Sequence, residues 1–124
     1  MNESQTSLPS AATIDVHWPR SGVAYVILGG EHDLSTAGHL DRKLTETLQG
    51  CFRLVVDLRN TAFIDSSTIR TLLAAKDRAD AGACQFNVVL ETTPNVERAF
   101  ELTGVMPALN RIRTLDETLA LRAA

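Results

Sequence analysis

What most constrains this chain is the order in which its hydrophobic periodicities follow one another. Segments with the two-residue period of a strand alternate with segments of helical period. "ATIDVHWP" sets Ile14, Val16 and Trp18 against Asp15 and His17, as a half-buried strand does, and Pro19 is expected to end it. "VAYVILGGE" is almost continuously apolar, which predicts a strand buried on both faces. Only "RSG" separates the two, so they read as a hairpin. "FRLVVDLRN" and "CQFNVVLE" read as the third and fourth strands, and "LNRIRTL" as a short last one. Helical patterns fill the gaps. The first opens at Ser35 as N-cap, carries Leu40, Leu44 and Leu48 at four-residue spacing, and stops at Gly50. The second carries Ile69, Leu72, Leu73 and Lys76 and ends near Ala81 and Gly82. The third has Pro94 in its first turn, Val96, Ala99 and Phe100 on its apolar face, and Gly104 as C-cap. "DETLALRAA" closes the chain as a terminal helix, with Asp116 and Glu117 suited to its N-terminal dipole.

This order contains two strand-helix-strand crossovers, which imply parallel core strands joined by right-handed connections. The hairpin adds an antiparallel edge, so the fold class is α/β with a mixed sheet. A chain of 124 residues fits one domain, placed at 13–122 behind a polar tail at 1–12. At that size a chain buries about two-thirds of its unfolded surface, so it needs no metal or disulfide to hold a core. The net charge of −3, with no cluster of Lys or Arg, argues against a nucleic-acid partner. The longest apolar run, Val23 to Leu28, is far too short to cross a membrane. The N-terminus lacks the charged and apolar regions of a signal peptide, so a cytoplasmic location is expected.

In open α/β sheets, functional groups gather beyond the carboxyl ends of the parallel strands. "GGEHDLS", "NTAFIDSS" and "ETTPN" fall there as loops, which could bring Asp33 and Asp65 to one end of the molecule. At Asp65-Ser66-Ser67-Thr68 an acid and three hydroxyls meet a helix start. Capping needs only one of them. Local chemistry leaves three roles open: a cap, a nucleophile, or an exposed phosphoacceptor whose phosphate would sit on the first-turn N–H groups. A triad of Ser67, His32 and Asp33 lacks the G-x-S-x-G elbow and a second oxyanion element. Gly29-Gly30 is not a nucleotide-binding fingerprint. His32, His39 and Asp33 read as solvated side chains rather than metal ligands, and no cofactor is signalled. His17, Arg78, Arg111 and Arg113 read as exposed, and Trp18 as a packing residue.

Four stretches carry a family resemblance: "LGGEHDLSTA", "LVVDLRNTAFIDSS", "DRADAGACQFNVVL" and "TPNVERAFELTGV". Through them the chain resembles the STAS-domain anti-sigma factor antagonists of bacteria, over roughly residues 14 to 121. The resemblance implies a single STAS domain with helices packed mainly on one face of the sheet. It implies a regulator that binds rather than catalyses. Unphosphorylated, such a protein binds an anti-sigma factor that is also a serine kinase and so frees a sigma factor, as in stress responses. The kinase phosphorylates the second Ser of D-S-S, here Ser67, and a PP2C-type phosphatase restores it. Glu31, Asp33, Asp65, Ser66, Ser67 and Thr68 would form the docking face. A phosphate adds about −1.5 to −2 charges. At roughly 6 Å and an effective dielectric of about 20, each unit pair with Asp65 or Asp33 costs about 3 kcal/mol before screening. The family most often has Gly where this chain has Thr68, which would add bulk and a hydroxyl to the kinase-facing surface. Another STAS subunit, in a lipid-transport complex or a stress-signalling scaffold, is the alternative.

Cys51 precedes the third strand and Cys84 the fourth. Their spacing is not that of a metal site, and free thiols are the default for a reducing compartment. If the two strands are neighbours, both thiols lie at the same sheet edge, where a disulfide is conceivable.

Overall fold

Five strands pair in sequence order, β1 to β5, which places the third at the centre of the sheet. The computed structural model describes residues 11–90, 94–104, 106–109 and 111–112. β1 (Thr13–Arg20) and β2 (Val23–His32) form the antiparallel hairpin. β3 (Arg53–Ile64), β4 (Gln85–Val89) and the two-residue β5 (Arg111–Ile112) then add in parallel. Helices α1 (Leu34–Leu48), α2 (Ser66–Ala81) and α3 (Pro94–Thr103) fill the three crossovers. This is the mixed α/β architecture that the periodicities predict. The terminal helix with Asp116 and Glu117, the "ETT" at 91–93, Arg113 and all but the last two residues of the 1–12 tail lie outside the described residues. Among the described residues no helix is long and apolar enough to cross a membrane.

Alternation along the strands decides which face the helices cover. Ala24, Val26 and Leu28 of β2, Leu54, Val56 and Leu58 of β3, and Phe86 and Val88 of β4 point to one side. There they meet Leu40 and Leu44 of α1, Ile69, Leu72, Ala75 and Ala79 of α2, and Val96 and Phe100 of α3 in a single cluster. The helices therefore pack on one face. The other face carries a small separate cluster of Val55 and Val89 with Tyr25 against it. Burial on both faces belongs to the central β3, where Arg53 to Leu58 are all buried. β2, expected to be buried on both, is only half-buried at Tyr25 and Ile27.

The ends of three strands differ from the sequence reading. β1 runs through Pro19 to Arg20, with its register shifting between His17 and Arg20. An edge strand tolerates a proline because the missing N–H faces no partner. β2 and β3 also continue through the stretches taken for loops. Gly29 pairs with Asn60, Gly30 with Thr61, Glu31 with Phe63 and His32 with Ile64. Register shifts around Gly29 to Glu31 absorb the mismatch, and the Thr61 hydroxyl donates to Leu28 O at 2.7 Å.

Candidate functional site

Since β2 and β3 end in register at His32 and Ile64, the next residues, Asp33 and Asp65, start two helices side by side. Both are N-caps in extended backbone. Asp33 Oδ1 accepts from Ser35 N–H at 2.9 Å and from Ser35 Oγ at 2.6 Å. The Asp33 N–H donates back to Thr36 Oγ1 at 3.2 Å, which completes a capping box. The cap is therefore Asp33 and not Ser35, which sits inside the first turn.

Asp65 binds more donors. Its Oδ1 accepts from Ser67 N–H at 3.0 Å, Thr68 N–H at 3.1 Å and Ser67 Oγ at 2.6 Å. The Leu34 N–H, in the first turn of α1, lies near enough to help lower the pKa of this carboxylate. This acid thus caps its own helix through both the Ser67 and Thr68 N–H groups. Partial burial pushes the Asp65 carboxyl up, but Ser67 Oγ and the three backbone N–H groups outweigh it and hold it below the usual range.

The run after Asp65 is not uniformly exposed. Ser66 faces solvent, Ser67 is 8% exposed and Thr68 is fully buried. Of the three hydroxyl residues expected on the docking face, only Ser66 is exposed. The first helical residue points away from the core, while the next two fold back over the capping carboxylate. Thr68 therefore adds its bulk beneath the surface, with Oγ1 3.4 Å from Asp65 Oδ1. Nor are the N–H groups of Ser67 and Thr68 free to receive a phosphate, because Asp65 already holds them.

His32, expected to be solvated, is fully buried. Its Nε2 lies 3.0 Å from Gly29 O and 3.3 Å from Thr13 O, and its Nδ1 lies 3.2 Å from Thr36 Oγ1. Burial pushes its pKa below the usual value, against smaller upward pulls from the Gly29 and Thr13 carbonyls and Asp33. With both nitrogens engaged in joining β1, β2 and α1, the ring does not serve Ser67, whose hydroxyl partner is Asp65. Among the described residues no group of three or more His, Cys, Asp or Glu is placed to hold a metal ion.

The rim of the site includes two residues that periodicity did not single out. Leu34 is 75% exposed and directly follows Asp33; Phe63 is 44% exposed and pairs across the ladder with Glu31. Each is an apolar residue out of phase with the buried positions of its element, which was the available signal. With exposed Glu31 and Ser66 and half-buried Asp33 and Asp65, they form an acidic surface with apolar points. On the central strand, buried Asp57 accepts from Tyr25 OH at 2.8 Å and from Arg59 Nη2 at 2.7 Å. Its burial favours the neutral acid, yet the bonds from Arg59 and Tyr25 hold its pKa below the usual range.

The model of the family described as "Mlab, STAS domain" matches residues 19–110. No curated protein matches the chain. Among solved structures, the chain is similar to an anti-sigma factor antagonist from Mycobacterium paratuberculosis. The two are 28% identical, with a TM-score of 0.80 over 91% of this chain and 95% of that one. It is also similar to the anti-sigma factor antagonist SpoIIAA in its unphosphorylated form, at 18% identity and a TM-score of 0.74 over 90% and 98% of the two chains. The phosphorylated Bacillus cell fate determinant SpoIIAA matches at 16% identity and a TM-score of 0.68 over 90% and 100%. The last two likenesses are of fold.

Proposed function

Because this chain belongs to the STAS-domain family, we propose that it acts as a cytoplasmic anti-sigma factor antagonist switched at Ser67. Unphosphorylated, it docks an anti-sigma factor serine kinase on the face formed by Glu31, Asp33, Asp65, Ser66 and Ser67, and so releases a sigma factor. Thr68 supports that face from below. Phosphorylation of Ser67 ends the binding and a PP2C-type phosphatase restores it.

The observation that carries this reading is the 2.6 Å bond from Ser67 Oγ to Asp65 Oδ1. A phosphate on Ser67 loses that bond and sets about −1.5 to −2 charges against the carboxylate that caps α2. The charges lie closer than the roughly 6 Å at which each unit pair already costs about 3 kcal/mol before screening. The phosphate must turn outward, toward Ser66 and the acidic rim, where a docked partner would meet it. A tenfold loss of affinity needs only about 1.4 kcal/mol. The 28% identity to a protein described as an anti-sigma factor antagonist supports the same reading.

A second reading, a STAS subunit of another complex such as a lipid-transport machine or a stress-signalling scaffold, draws on the matched family's description as "Mlab, STAS domain". Capture from cell extract with the wild type, Ser67→Ala and Ser67→Asp separates the two. The switch predicts that an ATPase of the histidine-kinase-like type is recovered by the wild type and by Ser67→Ala, and lost with Ser67→Asp. Equal recovery by all three proteins would favour the second reading.

A further inference from the structure

The two cysteines play no part in the site above. Cys51 lies in the connection from α1 to β3, and Cys84 in the connection from α2 to β4. The parallel ladder begins at Arg53 and Gln85, and the Gln85 N–H donates to Phe52 O at 2.9 Å. Backbone pairing therefore fixes both connections next to one another. The thiols are free, and their sulfurs are 3.7 Å apart. A disulfide needs a separation of about 2.05 Å, so the sulfurs must close by roughly 1.6 Å, shared between two side-chain rotations. Cys51 is partly exposed, whereas Cys84 is 6% exposed and packed in the core.

We propose that Cys51 and Cys84 are an oxidation site, joined by a peroxide-type oxidant into an intramolecular disulfide that closes a loop around β3 and α2. Cys51, the more exposed, attacks the peroxide. The O–O bond breaks, one oxygen leaves as water, and Cys51 becomes a sulfenic acid. The Cys84 sulfur then attacks the Cys51 sulfur and expels the second oxygen as water. Two thiols and one peroxide yield one disulfide and two waters. Burial pushes the Cys51 thiol up to about 12, with a further upward push from Cys84, so little thiolate is present near neutrality. Oxidation is accordingly slow. The bond lies at the end of β3 opposite Asp65, so it leaves the Ser67 surface in place and restrains the unfolded chain.

The test uses reduced wild-type protein treated with hydrogen peroxide. The expected product is monomeric, lacks two hydrogens by intact mass, contains a linked Cys51–Cys84 peptide, and melts on the order of 10 °C higher than the reduced form. Dithiothreitol should reverse all of these changes, a control that needs no variant. In Cys84→Ser, a sulfenic-acid probe should label Cys51; in Cys51→Ser, Cys84 should stay unlabelled. Persistence of two titratable thiols, over-oxidation of Cys51 in the wild type, or covalent dimers would each overturn the proposal.

Discussion

Asp65, His32 and Tyr25 show how the work of single side chains is decided by what the fold brings to them. That Asp65 caps a helix is legible from sequence, because capping is chemistry within three residues. The influence of the Leu34 N–H on its pKa is not, since it depends on two strands ending in register. The same limit hid the burial of His32 and Thr68. His32 has its folded pKa lowered, so it takes up a proton less readily than in the unfolded chain. Its contribution to stability is complete above about pH 6.5 and is lost as pH falls below that value. Asp57 and Asp65 act likewise in the carboxylate range, with stability lost as pH falls below about 4. Urea midpoints should therefore begin to decline near pH 6.5 in the wild type, and only in the carboxylate range in His32→Gln. Tyr25, the one tyrosine of the chain, is pushed up to about 12, first by burial and then by its bond to Asp57. Ultraviolet titration should find it about one-tenth ionised at pH 11, where a free tyrosine is about nine-tenths ionised. Asp57→Asn should bring it back toward the free value.

At the scale of elements, the order of strands and helices follows from periodicity, because each helix shows the core a regular apolar stripe. Strand ends were harder to place. Gly29-Gly30 and "NTAF" have loop composition, yet the ladder continues through them with shifted register, fastened by the Thr61 hydroxyl on Leu28 O. A pattern with period two cannot reveal pairing where the register slips. The β1–β2 turn shows backbone control more simply. Gly22 has φ +78° and its carbonyl accepts from Phe52 N–H at 2.8 Å. A Cβ there would come within 2.3 Å of the Phe52 ring. Phe52 is an exposed side chain that can move, but the left-handed backbone cannot be relieved. Gly22→Ala should lower unfolding stability by about 1–2 kcal/mol in urea titration with an unchanged slope.

Across the whole molecule, the side chains of the two proposals lie at opposite ends of the sheet. The carboxyl ends of β2 and β3 deliver two capped helix starts and an acidic rim with exposed Leu34 and Phe63. The opposite end holds the paired thiols. The helix-covered face between them is a single packed core, which keeps the two ends in fixed relation. The most direct test of the switch is site-resolved phosphorylation of the wild type, Ser66→Ala and Ser67→Ala by the captured kinase with ATP. The account predicts one phosphate on the wild type and on Ser66→Ala, none on Ser67→Ala, and loss of kinase binding by the phosphorylated forms. Phosphate on Ser67→Ala, or undiminished kinase binding by phosphorylated protein, would contradict it.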